Sequence, residues 1–301
     1  MSRNEYNQKA VIKYLAFTFG FAYVIQFTIG LLARRGAIGR GVEQIVMAAM
    51  MFVPAIGVLA AGEKLSGMGW KPQIRKNIKW FLGAWFGPAI LTVLGTVLYF
   101  LIFPAHFDLS GQFLIDAVGP EAIDQLAAQG LTYPMYILIN FISSLVYAPL
   151  INMIAALGEE IGWRGFLYPQ LKAKYGPTRG LVYGGIIWGA WHWPLIALIG
   201  YEYGMSYIGF PVTGMILFCL CTGALGIICD WLYVKGKTIW LPSLCHGAIN
   251  AVATVTLAVC AVGTGSFRLL GPAPNGLLSG LPLFLAAVLL IRKSYAGTEE
   301  N

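Results

Sequence analysis

Eight long apolar runs, separated by short polar stretches, limit what this 301-residue chain can fold into. A run of about 20 apolar residues matches the ~30 Å hydrocarbon core of a bilayer. Hydrocarbon offers no partner to a backbone N–H or C=O, so such runs fold as helices that satisfy their own backbone. Spans are expected near 11–32, 42–61, 80–103, 134–157, 181–200, 211–232, 240–262 and 277–291. Only 11% of residues are charged and 58% are hydrophobic, whereas a soluble domain carries about 25% charged residues. The predicted fold class is all-α: a polytopic membrane protein of about eight transmembrane helices. We read residues 1–301 as a single integral-membrane domain with a motif-bearing core at about 134–262. The first run lacks a small-residue cleavage site and is taken as a retained helix.

The +7 formal charge follows the loops. Arg3, Lys9 and Lys13 precede or open the first run, and Lys64, Lys71, Arg75, Lys76 and Lys79 fill the 62–79 connection. Lys172, Lys174, Arg179, Lys235, Lys237, Arg292 and Lys293 fall in later segments of the same parity. The other parity holds only Arg34, Arg35, Arg40 and Arg268, and its 104–133 and 201–210 loops hold no Lys or Arg. Lys and Arg collect on the cytoplasmic side, so both termini are expected in the cytoplasm of a cytoplasmic-type membrane. This distribution accounts for the basic balance, and no nucleic-acid partner is expected. Membrane lipid is the expected partner of the basic 62–79 loop, which carries Trp70 and is followed by Trp80. The 104–133 loop mixes acidic and apolar residues and reads as an amphipathic connector on the outer surface. The five cysteines (219, 221, 229, 245 and 260) all lie in apolar runs, which argues against a disulfide framework.

Three polar clusters interrupt the apolar runs. They are Glu159-Glu160-Ile161-Gly162-Trp163-Arg164, Trp188-Gly189-Ala190-Trp191-His192, and His246-Gly247-Ala248-Ile249-Asn250. Ionisable groups are expensive in hydrocarbon and mark functional interiors or water-filled cavities. Glu160 and Arg164 are four apart and can pair on one helix face. Glu159 then points about 100° away, towards Trp163. His246 and Asn250 also share a face, and two donors on adjacent turns can hold a developing oxyanion. Trp188, one turn before His192, is expected to pack the site rather than act in it.

Together these residues suit hydrolysis. Glu159 would take a proton from water, His192 would orient that water or protonate the leaving amine, and His246 and Asn250 would hold the oxyanion. Glu159, His192 and His246 would equally make a His₂Glu zinc site with a bound water. The chain lacks the His-Glu-x-x-His helix common in zinc proteases, so the metal-free arrangement is preferred and Zn²⁺ is kept as the alternative.

The ordered clusters resemble the motifs of the CAAX protease and bacteriocin-processing family of intramembrane proteases, which includes the Ras-converting CAAX endopeptidases. Glu159, Glu160 and Arg164 meet its Glu-Glu-x-x-x-Arg motif. Trp188 and His192 meet its aromatic-x-x-x-His motif, where Phe is more common, and His246 and Asn250 its His-x-x-x-Asn motif. The resemblance implies an all-helical fold around a cytoplasm-facing conical cavity, with Glu159 as general base assisted by His192. It implies an oxyanion site at His246 and Asn250, and supporting places for Glu160 and Arg164. It also implies an endopeptidase acting near the inner leaflet on a CAAX-type prenylated tail or a bacteriocin- or leader-like peptide. A non-proteolytic binding or immunity protein using the same pocket is the alternative. A proton-coupled transporter ranks below both, because no inverted repeat is visible.

Overall fold

The computed structural model describes residues 5–295, so Arg3 lies outside the described residues. Among those residues its regular structure is all helix apart from one isolated bridge between Phe107 and Cys260. In chain order the helices are α1 (Gln8–Arg34), α2 (Arg40–Met50), α3 (Val53–Ala60), α4 (Ile74–Ile102), α5 (Gln112–Val118), α6 (Glu121–Ala128) and α7 (Tyr133–Val146). They continue with α8 (Ala148–Gly162), α9 (Tyr168–Tyr175), α10 (Pro177–Trp191), α11 (Trp193–Ile199), α12 (Val212–Gly236), α13 (Trp240–Ala258) and α14 (Leu281–Tyr295).

Six helical stretches are long and apolar enough to cross a membrane: 8–34, 40–60, 74–102, 177–199, 212–236 and 240–258. A seventh, Tyr133–Val146 with Ala148–Tyr175, is bent by 55°. The protein is therefore an integral membrane protein, with six of the eight expected spans matched by a helical stretch of sufficient length and a seventh by the bent pair. The eighth, expected at 277–291, corresponds to α14. That helix has 15 residues, roughly 22 Å at 1.5 Å per residue, which is short of the hydrocarbon thickness. It packs in the bundle against α12 and α4.

Proline explains several of the breaks. Pro54 opens α3, Pro149 opens α8 after the bend and Pro194 opens α11. A proline in the first turn removes an N–H that needs no partner, but it cannot continue a preceding helix. His192 sits at the junction between α10 and α11, one residue before Trp193-Pro194.

The helix ends sort into two faces. On the first, the Asn7 amide donates to Glu63 Oε1 (3.2 Å), the Asn7 backbone N–H to Gln170 Oε1 (2.6 Å) and Trp240 Nε1 to the Trp70 carbonyl (2.9 Å). The N-terminal segment, the 61–73 loop, α9 and the α12–α13 turn thus lie together. On the second face, the Ala261 N–H donates to the His106 carbonyl (2.8 Å) and the Asn275 amide to Glu202 Oε2 (2.7 Å). Arg40, Asp116, Ser206 and Arg268 line one shallow hollow, so all four connections of this face meet there. The short helices α5 and α6 of the 104–133 connection bury no residue, as expected of a surface connector.

Candidate active site

Close packing of α8 against α13 brings the first and third clusters together. Gly247 permits the approach: a Cβ there would run into the backbone N of Met153 and come within 2.8 Å of its Cα and of the Pro149 carbonyl. Small residues at such crossings let membrane helices touch backbone to backbone. The first cluster continues into a π-helical turn, Trp163–Leu167, a local widening often found at functional sites.

Glu159 is 2% exposed, and its Oε2 accepts from two indoles, Trp188 Nε1 at 2.6 Å and Trp163 Nε1 at 3.0 Å. The expected turn of Glu159 towards Trp163 is therefore present. Trp188 does more than pack: the residue expected to be a wall holds the carboxylate directly. An aromatic of the more common type, Phe, would offer no such donor.

Glu160 and Arg164 are both fully buried and pair at 3.0 Å. The guanidinium also lies over the rings of Trp188 (4.3 Å) and Tyr168 (4.7 Å), placements that favour a desolvated cation. The same Glu160 Oε1 meets His246 Nδ1 at 3.0 Å. Sequence spacing, which relates residues on one helix, carried no signal for this contact between α8 and α13. A carboxylate only accepts, so this contact puts the hydrogen on His246 Nδ1.

His192 Nδ1 meets the Trp188 carbonyl at 3.1 Å. A carbonyl also only accepts, so Nδ1 carries the hydrogen and the neutral ring presents Nε2 as an acceptor. Phe218 stands edge-on to the ring at 4.9 Å, and Tyr201 stacks on it at 5.8 Å with 8° between planes.

Glu159, Trp188, His192, His246 and Asn250 line one cavity of about 220 Å³. Glu160 and Arg164 lie behind its floor. The walls add Met47, Leu195, Phe218 and Leu225, and the rim adds Tyr201, Glu202 and Asn275. Among these, Glu202 was not anticipated: it is the only acid of the 201–210 loop and no motif marks it.

The cavity has a direction. Beyond Glu159 towards the first face the bundle is solid, with Trp163, Arg164, Leu167, Tyr168, Leu241 and Leu244 each at most 2% exposed. On α13 the lining runs from His246 through Asn250 to Ala253, and on α11 it reaches Leu195, both towards the second face. The opening therefore lies on the side of the 200–211 and 259–280 connections. Two sequence expectations conflict in this fold. The expectation of cytoplasmic termini and the expectation of a cytoplasm-facing cavity do not hold together, because the N-terminal segment lies on the first face and the cavity opens towards the second.

The zinc alternative needs Glu159, His192 and His246 on one ion. Among the described residues no three His, Cys, Asp or Glu side chains are placed to hold a metal. His246 and His192 each place Nδ1 on a protein acceptor, which leaves Nε2 of each ring as the atom available to an ion.

Residues 140–252 match the family model described as type II CAAX prenyl endopeptidase Rce1-like. The chain is also 26% identical over 255 residues to CAAX prenyl protease 2 of Methanococcus maripaludis, covering 83% of this chain and 85% of that protein. The matched segment contains all three clusters and most of the helices that build the cavity. The chain is thus similar to the Rce1-like CAAX prenyl endopeptidases, the family its three polar clusters resemble.

Proposed function

We propose that this chain is an intramembrane endopeptidase that hydrolyses a peptide bond with a water activated by Glu159. The observation that carries the reading is the Glu159 carboxylate itself, buried at the bottom of a polar-floored cavity with Oε2 held by two indole N–H groups. That grip fixes the carboxylate and leaves Oε1 to take a proton from water. The oxygen of that water forms the new C–O bond at the scissile carbonyl, and the carbonyl electrons become the oxyanion.

Asn250 gives the oxyanion an amide N–H. For His246 to give another, Nε2 must carry a hydrogen while Nδ1 donates to Glu160, so the ring acts as an imidazolium. The Glu160 carboxylate stabilises that charge, and Arg164 holds Glu160 in place. Collapse of the tetrahedral species breaks the C–N bond. The proton taken by Glu159 passes to the leaving amine, directly or through the Nε2 acceptor of His192. No side chain becomes covalently attached and no step uses a metal.

The substrate class is a peptide or a lipidated protein tail. The name of the archaeal relative supports a prenylated tail for that protein, and the apolar walls at Met47, Leu195, Phe218 and Leu225 suit an apolar side chain or lipid. The test incubates prenylated and unprenylated peptide panels with detergent-purified wild type and Glu159→Gln, with and without a chelator. Product from wild type alone, undiminished by chelation, is the expected result. Chelator-sensitive product would restore the zinc alternative. A peptide bound equally by both proteins and cleaved by neither would favour the binding or immunity protein.

A further inference from the structure

The hollow on the second face shares no lining residue with the catalytic cavity and carries the chemistry of an anion site. It encloses about 650 Å³ between the start of α2, the 104–133 connection and the loops that follow α11 and α13. Its two cations are Arg40, the first residue of α2, and Arg268. Among the described residues neither guanidinium meets a carboxylate at ion-pair distance, and Arg268 Nε is buried with no hydrogen-bond partner. Arg268 is close enough to Glu202 to favour its charged form, without pairing with it. Asp116 is the one acid among the lining residues, and its Oδ1 already accepts from the Gln112 amide at 2.7 Å.

The backbone adds donors. The Ala261 N–H donates to the His106 carbonyl (2.8 Å) and the Phe267 N–H to the Thr264 carbonyl (2.9 Å). Among the described residues, none of the five N–H groups between them, from Val262 to Ser266, has a protein acceptor, and all five residues line the hollow. Gly263 takes a left-handed φ of +87°, the kind of step by which successive amides form an anion-binding concavity. α2 also starts at this wall. Its N-cap, Gly39, has no side chain to cap it, so the free N–H groups and positive end of the helix add to the same field. Solvent can serve a surface amide, but it does not reach the buried Arg268 Nε.

The position of the hollow indicates the source of the anion. It lies where α1, α2 and α13 end, the level at which spans leave hydrocarbon. Along α2 from Arg40, Val42 and Ile45 are exposed, on a surface that faces acyl chains in a membrane. We propose that the hollow binds the phosphate group of an anionic membrane phospholipid, held by Arg40, Arg268 and the 262–266 amides. Guanidinium forks match phosphate oxygens two at a time, and two cations against one acid favour an anionic over a zwitterionic headgroup. The volume far exceeds the roughly 30 Å³ share of one water, which leaves room for a hydrated headgroup. The acyl chains lie along Val42 and Ile45. Phosphate lies at this level in either leaflet, so the site works in either orientation of the chain. It also gives a role to Arg40, which departs from the parity of most Lys and Arg in the chain.

The test measures lipid retention by the full chain, purified in an uncharged detergent, with native mass spectrometry. The probes are a phosphatidylglycerol, a phosphatidylcholine of the same acyl length and inorganic phosphate. Arg40→Gln with Arg268→Gln removes the cations. Ser266→Glu puts a carboxylate on the wall with both arginines intact, at an exposed position, and so covers the case in which the arginine variant misfolds. Arg34→Gln with Arg35→Gln is the control, on the same turn but outside the hollow. The wild type and the control are expected to retain one phosphatidylglycerol per chain. Affinity should fall about tenfold or more for each guanidinium removed, the range for hydrogen bonds to a charged group, and Ser266→Glu should weaken it too. Phosphatidylcholine and inorganic phosphate should bind more weakly than phosphatidylglycerol. Equal retention by the double variant and by Ser266→Glu overturns the proposal, and so does equal loss from the control. Inorganic phosphate bound as tightly as the lipid overturns the lipid source and makes a soluble anion the ligand.

Discussion

Arg164→Met is the most informative change for the buried architecture behind the site. Arg164 and Glu160 are both fully buried and 3.0 Å apart, and the substitution takes the guanidinium away from the Glu160 carboxylate, which keeps its hydrogen bond from His246 Nδ1. Methionine fills the space of the arginine stem between the Tyr168 and Trp188 rings, so little of the loss comes from packing. Removing one partner of a buried pair destabilises by about 3–5 kcal/mol, because an uncompensated charge stays behind, whereas replacing both partners with neutral groups is often close to neutral. The double variant Glu160→Gln, Arg164→Met keeps an amide oxygen to accept from His246 Nδ1, and is expected within about 1.5 kcal/mol of wild type. Equilibrium unfolding in mixed micelles measures the cycle, and the double variant is expected to lose less stability than the sum of the two single variants. A single-variant loss below about 1 kcal/mol would refute the reasoning. A double variant as unstable as the single one would refute it too.

Asn250→Ala removes a donor to the oxyanion and should lower kcat about 10²–10³-fold with a smaller change in KM; steady-state kinetics on any cleaved peptide checks it. Gly247→Val forces a branched side chain into the backbone of α8 and should destabilise by about 3 kcal/mol, read by the same unfolding assay. Glu202→Gln tests the rim. Burial raises the Glu202 carboxyl above its ordinary range, so the folded protein holds a proton there that the unfolded chain has released, and stability falls as pH rises through that interval. The glutamine variant should therefore melt higher than wild type at neutral pH, and the gap should close as pH drops below the ordinary carboxylate range. An unchanged gap across that range would contradict the assignment.

Hydrophobic run length was a direct guide to the fold, because a bilayer imposes one secondary structure and one length on whatever crosses it. It failed where the chain departs from that rule. α14 is too short to read as a full span, and the fourth expected span, 134–157, is the first part of a bent path that continues to Tyr175. The three clusters exposed the site because each has an internal helical spacing. The Glu160–Arg164 pair and the turn of Glu159 towards Trp163 follow from geometry within one helix. The Glu160–His246 contact and the Trp188 bond to Glu159 cross between helices, so no local pattern encodes them. Glu202 was hidden for a different reason: its place at the rim depends on a left-handed loop residue meeting the 259–280 connection. The end of the bundle towards which the cavity opens was not legible, because residue positions along a span do not show which end is packed shut.

The most direct measurement of the central claim is kcat and Kd for one cleaved peptide on wild type and Glu159→Gln. The glutamine keeps an oxygen for the Trp163 and Trp188 indoles and removes only the base. The account predicts a loss of about 10³-fold or more in kcat, within the range for a positioned general base, with Kd changed less than about threefold. Turnover retained within about tenfold would show that Glu159 does not activate the water, and would contradict the mechanism proposed for this site.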